Sequence, residues 1–373
     1  MSATTPALDA TLARLRDLGP LDAAAIAAAT AHLDSLTKPP GSLGRLEALA
    51  VQLAGITAEA KPAFRRRAIV VAVADHGVVA QGVSAYPSDV TPQMVANFLR
   101  GGAAIDALAR TVGAELIVVD AGVAAPVPTV DRRADVRLIA APIRPGTSDM
   151  SKGPAMTRAE AFAAIGLGIA IAGDMADDGV DLVGVGEMGI GNTTAASAIT
   201  AAMTGLAPER VTGRGTGIDD ATHRRKIDVV ARALDINQPT PADPVGTLAA
   251  VGGFEVGVLV GVLLGTAAAR IPVILDGFIT GAAALIASGL APGIEPRLIA
   301  AHRSVEPGHA VVLERLGLRP LLELDLRLGE ATGAALAMSL VDAAIAVRDG
   351  MATFDAAGVS GPTAGSERLE EAL

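Results

Sequence analysis

Short apolar runs rich in branched residues, each stopping at a turn residue or an acid, constrain this chain most. They lie at 68–74, 115–119, 136–140, 181–185, 271–275 and 297–301, with helix-like stretches between them. Strands that are apolar throughout are covered on both faces, and strand–helix alternation makes neighbouring strands parallel. The chain therefore reads as an α/β protein with a Rossmann-like parallel sheet covered by helices. Three runs lead straight into an acid: Ala74 into Asp75, Val119 into Asp120 and Leu275 into Asp276. Ligands of open α/β sheets gather beyond the carboxyl ends of strands, so these acids stand where a site forms.

The ends differ from the middle. Residues 1–60 are rich in Ala and Leu and lack strong strand runs, and 332–347 carries Leu336, Leu340, Ala343, Ala344 and Val347 as a helical stripe. The expected organisation is a helical segment at 1–60, an α/β domain at 61–331 and a helical segment at 332–373. The two ends are expected to pack together, as a small helical domain or an oligomer surface. Thr157 and Glu160 have the spacing of a capping box that starts a helix.

Aromatic residues make up only 2% of the 373, so close packing through Ala, Val, Leu and Gly is expected. The formal net charge of −10, with no basic stripe carrying aromatics, argues against nucleic acid. The absence of cysteine excludes disulfides, thiolate metal sites and Cys nucleophiles, and suits a reducing cytoplasm. The first residues have no basic start followed by an apolar core, so they do not read as a signal peptide. The uncharged run at 256–269 falls short of the roughly 20 apolar residues a spanning helix needs. The longer run at 271–290 contains Pro272 and Asp276. Both read as buried core, with no membrane span.

Residues 180–194, VDLVGVGEMGIGNTT, fit two phosphate signatures at once. Gly184, Gly186 and Gly189 have the dinucleotide spacing, but the acid that should bind ribose would fall in the loop-like 208–210 stretch. Gly186, Gly191, Asn192 and Thr193 have the P-loop spacing, but Asn192 stands where a lysine should neutralise phosphate. Two readings stay open. Backbone amides and a helix N-terminus could hold an anion there, with Asn192, Thr193 and Thr194 as donors; or the glycines only permit a packed turn, with Asn192 as N-cap. A second glycine cluster, Gly213, Gly215 and Gly217, precedes Lys226 and reads either as a monophosphate nest or as a solvated loop. Asp75 and His76 look like a metal pair, yet no third ligand has suitable spacing. They read as structural or substrate-proximal, and no metal is expected.

LTKPPGSLGRLE (36–47), ADHGVVAQGVSAYPSDVT (74–91), GEMGIGNTT (186–194), GRGTG (213–217), ILDGFITGAAAL (274–285), AHRSVEPGH (301–309) and LRLGEATGAAL (326–336) follow one another in that order. Over about residues 30–350 the chain closely resembles the nicotinate-nucleotide–dimethylbenzimidazole phosphoribosyltransferase family, which builds the lower ligand of cobalamin. The resemblance implies transfer of phosphoribose from nicotinate mononucleotide to 5,6-dimethylbenzimidazole, with inversion. The products are α-ribazole 5′-phosphate and nicotinate. It implies no metal or organic cofactor, and a cytoplasmic homodimer whose large Rossmann-like domain is joined by a small helical domain from both chain ends.

By the same resemblance Glu330 is the catalytic base. Glu187 lies near the ribose and nicotinate, on a turn with Gly189, Gly191 and Asn192. Gly215, Thr216, Lys226 and Ser304 surround the 5′-phosphate, Asp276 lies beside the ribose, and Tyr86, Met94 and Leu328 line the benzimidazole pocket. Some relatives carry Ser for Tyr86 and Gln for Met94, which ties those positions to base preference. The residues themselves support Glu330: it follows an apolar stretch and has no cation within two residues, so desolvation would raise its pKa. The alternative is a first-turn helix acid stabilised by the macrodipole. Ala331 stands where glycine is frequent in GEGTG; its methyl is expected to be tolerated or to trim the pocket. The rivals are transfer to another aromatic base, a nucleotide-binding protein without catalysis, and a membrane component.

Overall fold

The computed structural model describes residues 6–361, so 1–5 and 362–373, the outer ends of both terminal segments, lie outside the described residues. Six parallel strands form one sheet: β1 (Arg67–Ala74), β2 (Ala114–Gly122), β3 (Val136–Ala140), β4 (Leu182–Met188), β5 (Val273–Leu275) and β6 (Leu298–Ala300). Their order is β3-β2-β1-β4-β5-β6, the doubly wound order in which the winding reverses between β1 and β4. Every apolar run read from the sequence is one of these strands.

β1 shows why the runs are continuous rather than alternating. Ala68, Val70, Ala72 and Ala74 belong to one core cluster, and Ile69, Val71 and Val73 to the other. Successive side chains point to opposite faces, and both faces are dry, so an apolar residue is favoured at every position. On the first face the helices Arg158–Asp177 and Phe254–Ala268 cross at very close range. A Cβ on Gly168 would fall 2.0 Å from the Val258 carbonyl oxygen, and one on Gly261 would fall 2.0 Å from that of Ile165. The small-residue composition is thus used to bring two helix backbones together. Arg158–Asp177 starts at the capping box, in which Thr157 Oγ1 accepts from the Glu160 amide at 3.1 Å and Glu160 Oε2 accepts from the Thr157 amide at 2.7 Å.

Arg158–Asp177 is, among the described residues, the one helix long and apolar enough to cross a membrane. In this fold it is a partner of Phe254–Ala268, and the runs at 256–269 and 271–290 fall in buried helices and β5.

The later part of the N-terminal segment meets the C-terminal segment on the second face. The Thr332–Gly350 helix lies against Arg45–Thr57, the Thr37 amide donates to the Ala352 carbonyl at 3.0 Å, and the Phe354 amide donates to the Ser35 carbonyl at 3.0 Å. The same C-terminal helix also packs on the sheet, and Pro6–Leu18 sits on the first face against Phe254–Ala268.

Candidate active site

The doubly wound order opens a crevice beyond the carboxyl ends of β1 and β4, and Glu187, Asn192, Asp276 and Glu330 come together there. β4 delivers Glu187 one residue before its end, buried at 6% exposure. The chain then turns through Gly189, where a Cβ would fall 2.2 Å from the Ala74 carbonyl oxygen at the end of β1. Gly191, at φ 96°, caps the Asn192–Thr204 helix. Asn192 is therefore the first helical residue and not the N-cap. Its side-chain amide donates instead to Glu187 Oε2. Gly184 and Gly186 lie inside β4, not in the turn. A Cβ on Gly184 would meet Met338 and Ala334, and one on Gly186 would fall 2.0 Å from the Ala331 amide nitrogen. The first two glycines of the dinucleotide-like spacing thus let the Thr332–Gly350 helix approach the sheet, which explains why that signature fits without a dinucleotide site.

Glu330 reaches the crevice from the other side. Gly329, Glu330 and Ala331 take φ of 87°, 62° and 65°, three successive left-handed residues before the helix begins. Glu330 therefore precedes the helix and does not occupy its first turn. Its amide donates to the Glu187 carbonyl at 3.2 Å, which fixes the loop to the end of β4. Its carboxylate is buried, and Oε2 has no hydrogen-bond partner. Burial pushes Glu330 up to about 7, and the charge of Asp106 acts in the same direction. Ala331 is wholly buried against Gly186, so its methyl packs onto the sheet.

Asp276, directly after β5, accepts from the Gly333 amide at 2.6 Å and the Ala334 amide at 3.2 Å. It thus caps the helix that Glu330 precedes. Burial pushes it up to about 7 against the pull of those amides. Glu187 is raised well above the usual carboxylate range, first by burial and then by the charges of Asp276 and Glu255, while Asn192 opposes the shift. Three buried carboxyl groups on one crevice cannot all hold full charge.

The second glycine cluster forms the adjoining wall. The Gly215 amide donates to Glu306 Oε1 at 2.8 Å, and Lys226 Nζ donates to Thr193 Oγ1 at 2.8 Å. Lys226 is buried, and burial lowers it to about 8 while the Glu306 charge works the other way. Thr216 Oγ1 accepts from the Ala85 amide at 3.3 Å, so this loop braces the segment bearing Tyr86. Ser304 is buried; its amide donates to His309 Nδ1 at 2.9 Å, and burial holds His309 down at about 3. Since Thr193 follows Asn192, the two walls are continuous. A cavity of about 500 Å³ opens beside the loop, lined by Thr212–Gly217 residues, His223, Glu306 and Arg327.

The residues expected at the base pocket are largely exposed. Tyr86 is 52% and Leu328 58% exposed, while Met94 is half-buried on the Val90–Arg100 helix. Asp75 and His76 are drawn into a buried network: His76 Nε2 lies 2.7 Å from Glu255 Oε1, and Asp75 Oδ2 accepts from the Ala124 amide at 2.8 Å. The Glu255 charge supports the imidazolium, and His76 is raised although burial opposes it. No group of three His, Cys, Asp or Glu side chains with metal-binding geometry occurs among the described residues. Sequence reading missed Glu306, Glu255 and Asp106. Glu306 alone had a signal, its place within AHRSVEPGH.

A family model described as phosphoribosyltransferase matches residues 18–359. The chain belongs to the nicotinate-nucleotide–dimethylbenzimidazole phosphoribosyltransferase family. A relative of that name from Chloroflexus aggregans is 58% identical over 346 residues, covering 93% of this chain and 97% of its own. One from Geobacter is 50% identical over 353 residues, covering 95% and 99%. The crystal structure of CobT from Thermus thermophilus is similar at a TM-score of 0.85 and 49% identity, over 90% of this chain and 99% of that one. Membership of this family fits a crevice that offers carboxylates on one wall and a glycine loop with a lysine on the next.

Proposed function

We propose that the protein transfers the phosphoribosyl group of nicotinate mononucleotide to 5,6-dimethylbenzimidazole, releasing nicotinate and forming α-ribazole 5′-phosphate for the cobalamin lower ligand. The observation that carries this reading is Glu330: a buried carboxylate with one oxygen unpartnered, held at a pKa of about 7 on the switch-point crevice. A base is most useful when its pKa lies near the working pH.

The chemistry asks little of the protein. One benzimidazole nitrogen attacks C1′ on the face opposite the pyridinium. The C1′–N bond to nicotinate breaks, and its electron pair neutralises the pyridinium nitrogen. Attack from the far face inverts β to α. The second benzimidazole nitrogen then carries a labile proton, which passes to Glu330. In this reading Glu187, held by Asn192, and Asp276 sit beside the ribose. Gly189 and Gly191 shape that turn. Gly215, Thr216, Lys226 and Ser304 hold the 5′-phosphate. Tyr86, Met94 and Leu328 form the base pocket. A homodimer is part of this reading by resemblance to the family. A cytoplasmic location goes with the cysteine-free composition.

The test is a product assay with nicotinate mononucleotide, 5,6-dimethylbenzimidazole and no added metal. Equal amounts of nicotinate and α-ribazole 5′-phosphate are expected. Nicotinate without the riboside would mean that water, not the base, attacks C1′, and would remove the assignment of the benzimidazole pocket.

A further inference from the structure

Glu306 has no part in the transfer just described, yet it occupies the centre of the glycine wall. It is 7% exposed and stands at the N-cap of the Pro307–Leu316 helix. Oε1 accepts from the Gly215 amide at 2.8 Å, and Oε2 is buried with no partner. A Cβ on Gly213 would fall 2.0 Å from Oε2, so the loop is closed tightly around this carboxylate. Its amide donates to Ser304 Oγ at 3.4 Å, and its charge acts on Lys226. Two of the groups assigned above to the 5′-phosphate, the Gly215 amide and the Lys226 ammonium, therefore already answer to an anion, and that anion belongs to the chain itself.

Physical reasons favour such an arrangement when the site is empty. A buried ammonium such as Lys226 is costly without a counter-charge, and a glycine loop with inward amides is costly without an acceptor. A phosphate monoester brings up to two charges and three acceptor oxygens into the same space. The Gly215 amide has one hydrogen to donate, and two anions side by side on it repel one another.

We propose that Glu306 is an internal stand-in for the substrate's phosphate, holding the 213–217 loop in its binding form and giving up the Gly215 amide when the phosphate arrives. This rests on the reading of that loop as the phosphate cradle. The device keeps the loop formed between turnovers, and it opposes the binding of anions too weak to displace a carboxylate. It gives binding a preformed loop at the expense of a competitor for its best donor.

The experiment uses the full chain, with inorganic phosphate as the probe, by titration calorimetry and by phosphate-induced thermal shift. Glu306→Gln keeps the shape and the contact to Gly215 but removes the charge. It is expected to bind phosphate about tenfold tighter than wild type, the scale of one charge-assisted hydrogen bond. It should melt lower than wild type without phosphate and regain the difference with it. The gain should also appear as a lower KM for nicotinate mononucleotide. Glu306→Asp, whose shorter arm withdraws from the amide, should tighten phosphate binding by less, and serves if the Gln variant does not fold. Phosphate binding by both variants that is equal to or weaker than wild type, while Lys226→Ala still weakens it, would overturn the stand-in and leave the cradle intact. Unchanged binding in all three, Lys226→Ala included, would overturn the cradle itself.

Discussion

At Glu330 and Glu187 carboxyl groups meet in a dry crevice with only amide donors to steady them, whereas at Lys226 a cation, a carboxylate and glycine amides balance one another in space equally dry. Burial acts on both walls, but its outcome differs. On the acid wall it drives carboxyl groups upward, leaving Glu330 and Asp276 at about 7. On the glycine wall it draws Lys226 down to about 8, with Glu306 resisting. The acid wall is thereby made to exchange a proton, and the glycine wall to keep a charge. Division of that kind suits a reaction that moves one proton at one end of the substrate while gripping a phosphate at the other.

The largest expected effect comes from removing the proton acceptor. Glu330→Gln should lower turnover by about 10²–10⁴, with binding of nicotinate mononucleotide near that of wild type. Turnover within about threefold of wild type, roughly 0.6 kcal/mol in the barrier, would take the role of base away from Glu330. A folding measurement separates chemistry from architecture. Glu330 ionises near 4.5 when unfolded and at about 7 when folded. The folded chain therefore holds more protons between those values, and this group makes stability fall as pH rises across that window. Glu330→Gln should abolish that contribution, melting above wild type at pH 8 by on the order of 1–3 kcal/mol and closer to it at pH 5.

The two walls should also part company along the pH axis. Activity that needs ionised Glu330 should rise through about pH 7, and mononucleotide affinity that needs protonated Lys226 should fall above about pH 8. The first limb belongs to kcat and the second to KM, measured as separate profiles. Lys226→Ala should weaken mononucleotide binding about 10- to 100-fold and erase the alkaline limb in KM while leaving the acidic limb in kcat. An alkaline limb that survives the substitution would assign it to another group.

How much of this was legible in the sequence follows from the range of the interactions. The strands were legible because burial on both faces writes itself into consecutive residues, as in β1. Asp276 was legible because it ends an apolar run. The roles of Gly184 and Gly186 were not, since what they accommodate is a helix some 150 positions along the chain, roughly the separation from Gly186 to Ala331. Glu306 meets Gly215 across 91 positions, and His76 meets Glu255 across 179. Neither spacing leaves a periodic trace. The left-handed run at 329–331 was hidden for a different reason: only Gly329 advertises positive φ, and Glu330 and Ala331 read as ordinary helix formers.

That run supplies the smallest effect and the finest comparison between the walls. A side chain at Gly329 would be strained at φ 87°, and its Cβ would fall 2.5 Å from Glu187 Oε1, which would have to move. Ala331 does carry one, at φ 65° and fully buried against Gly186. Replacing it by glycine relieves a left-handed conformation worth about 1–2 kcal/mol. It also forfeits a buried methyl of about 0.8 kcal/mol and frees the unfolded chain by about 0.4–1 kcal/mol. These contributions nearly cancel. Ala331→Gly should therefore change stability by less than about 1 kcal/mol, with turnover within about threefold of wild type, as read by chemical denaturation and the product assay. Because the methyl faces the sheet and not the crevice, KM for the benzimidazole should not move. A marked rise in that KM would mean that Ala331 holds Glu330 in place by occupying space beneath it, and that the acid wall depends on packing as closely as the glycine wall depends on charge.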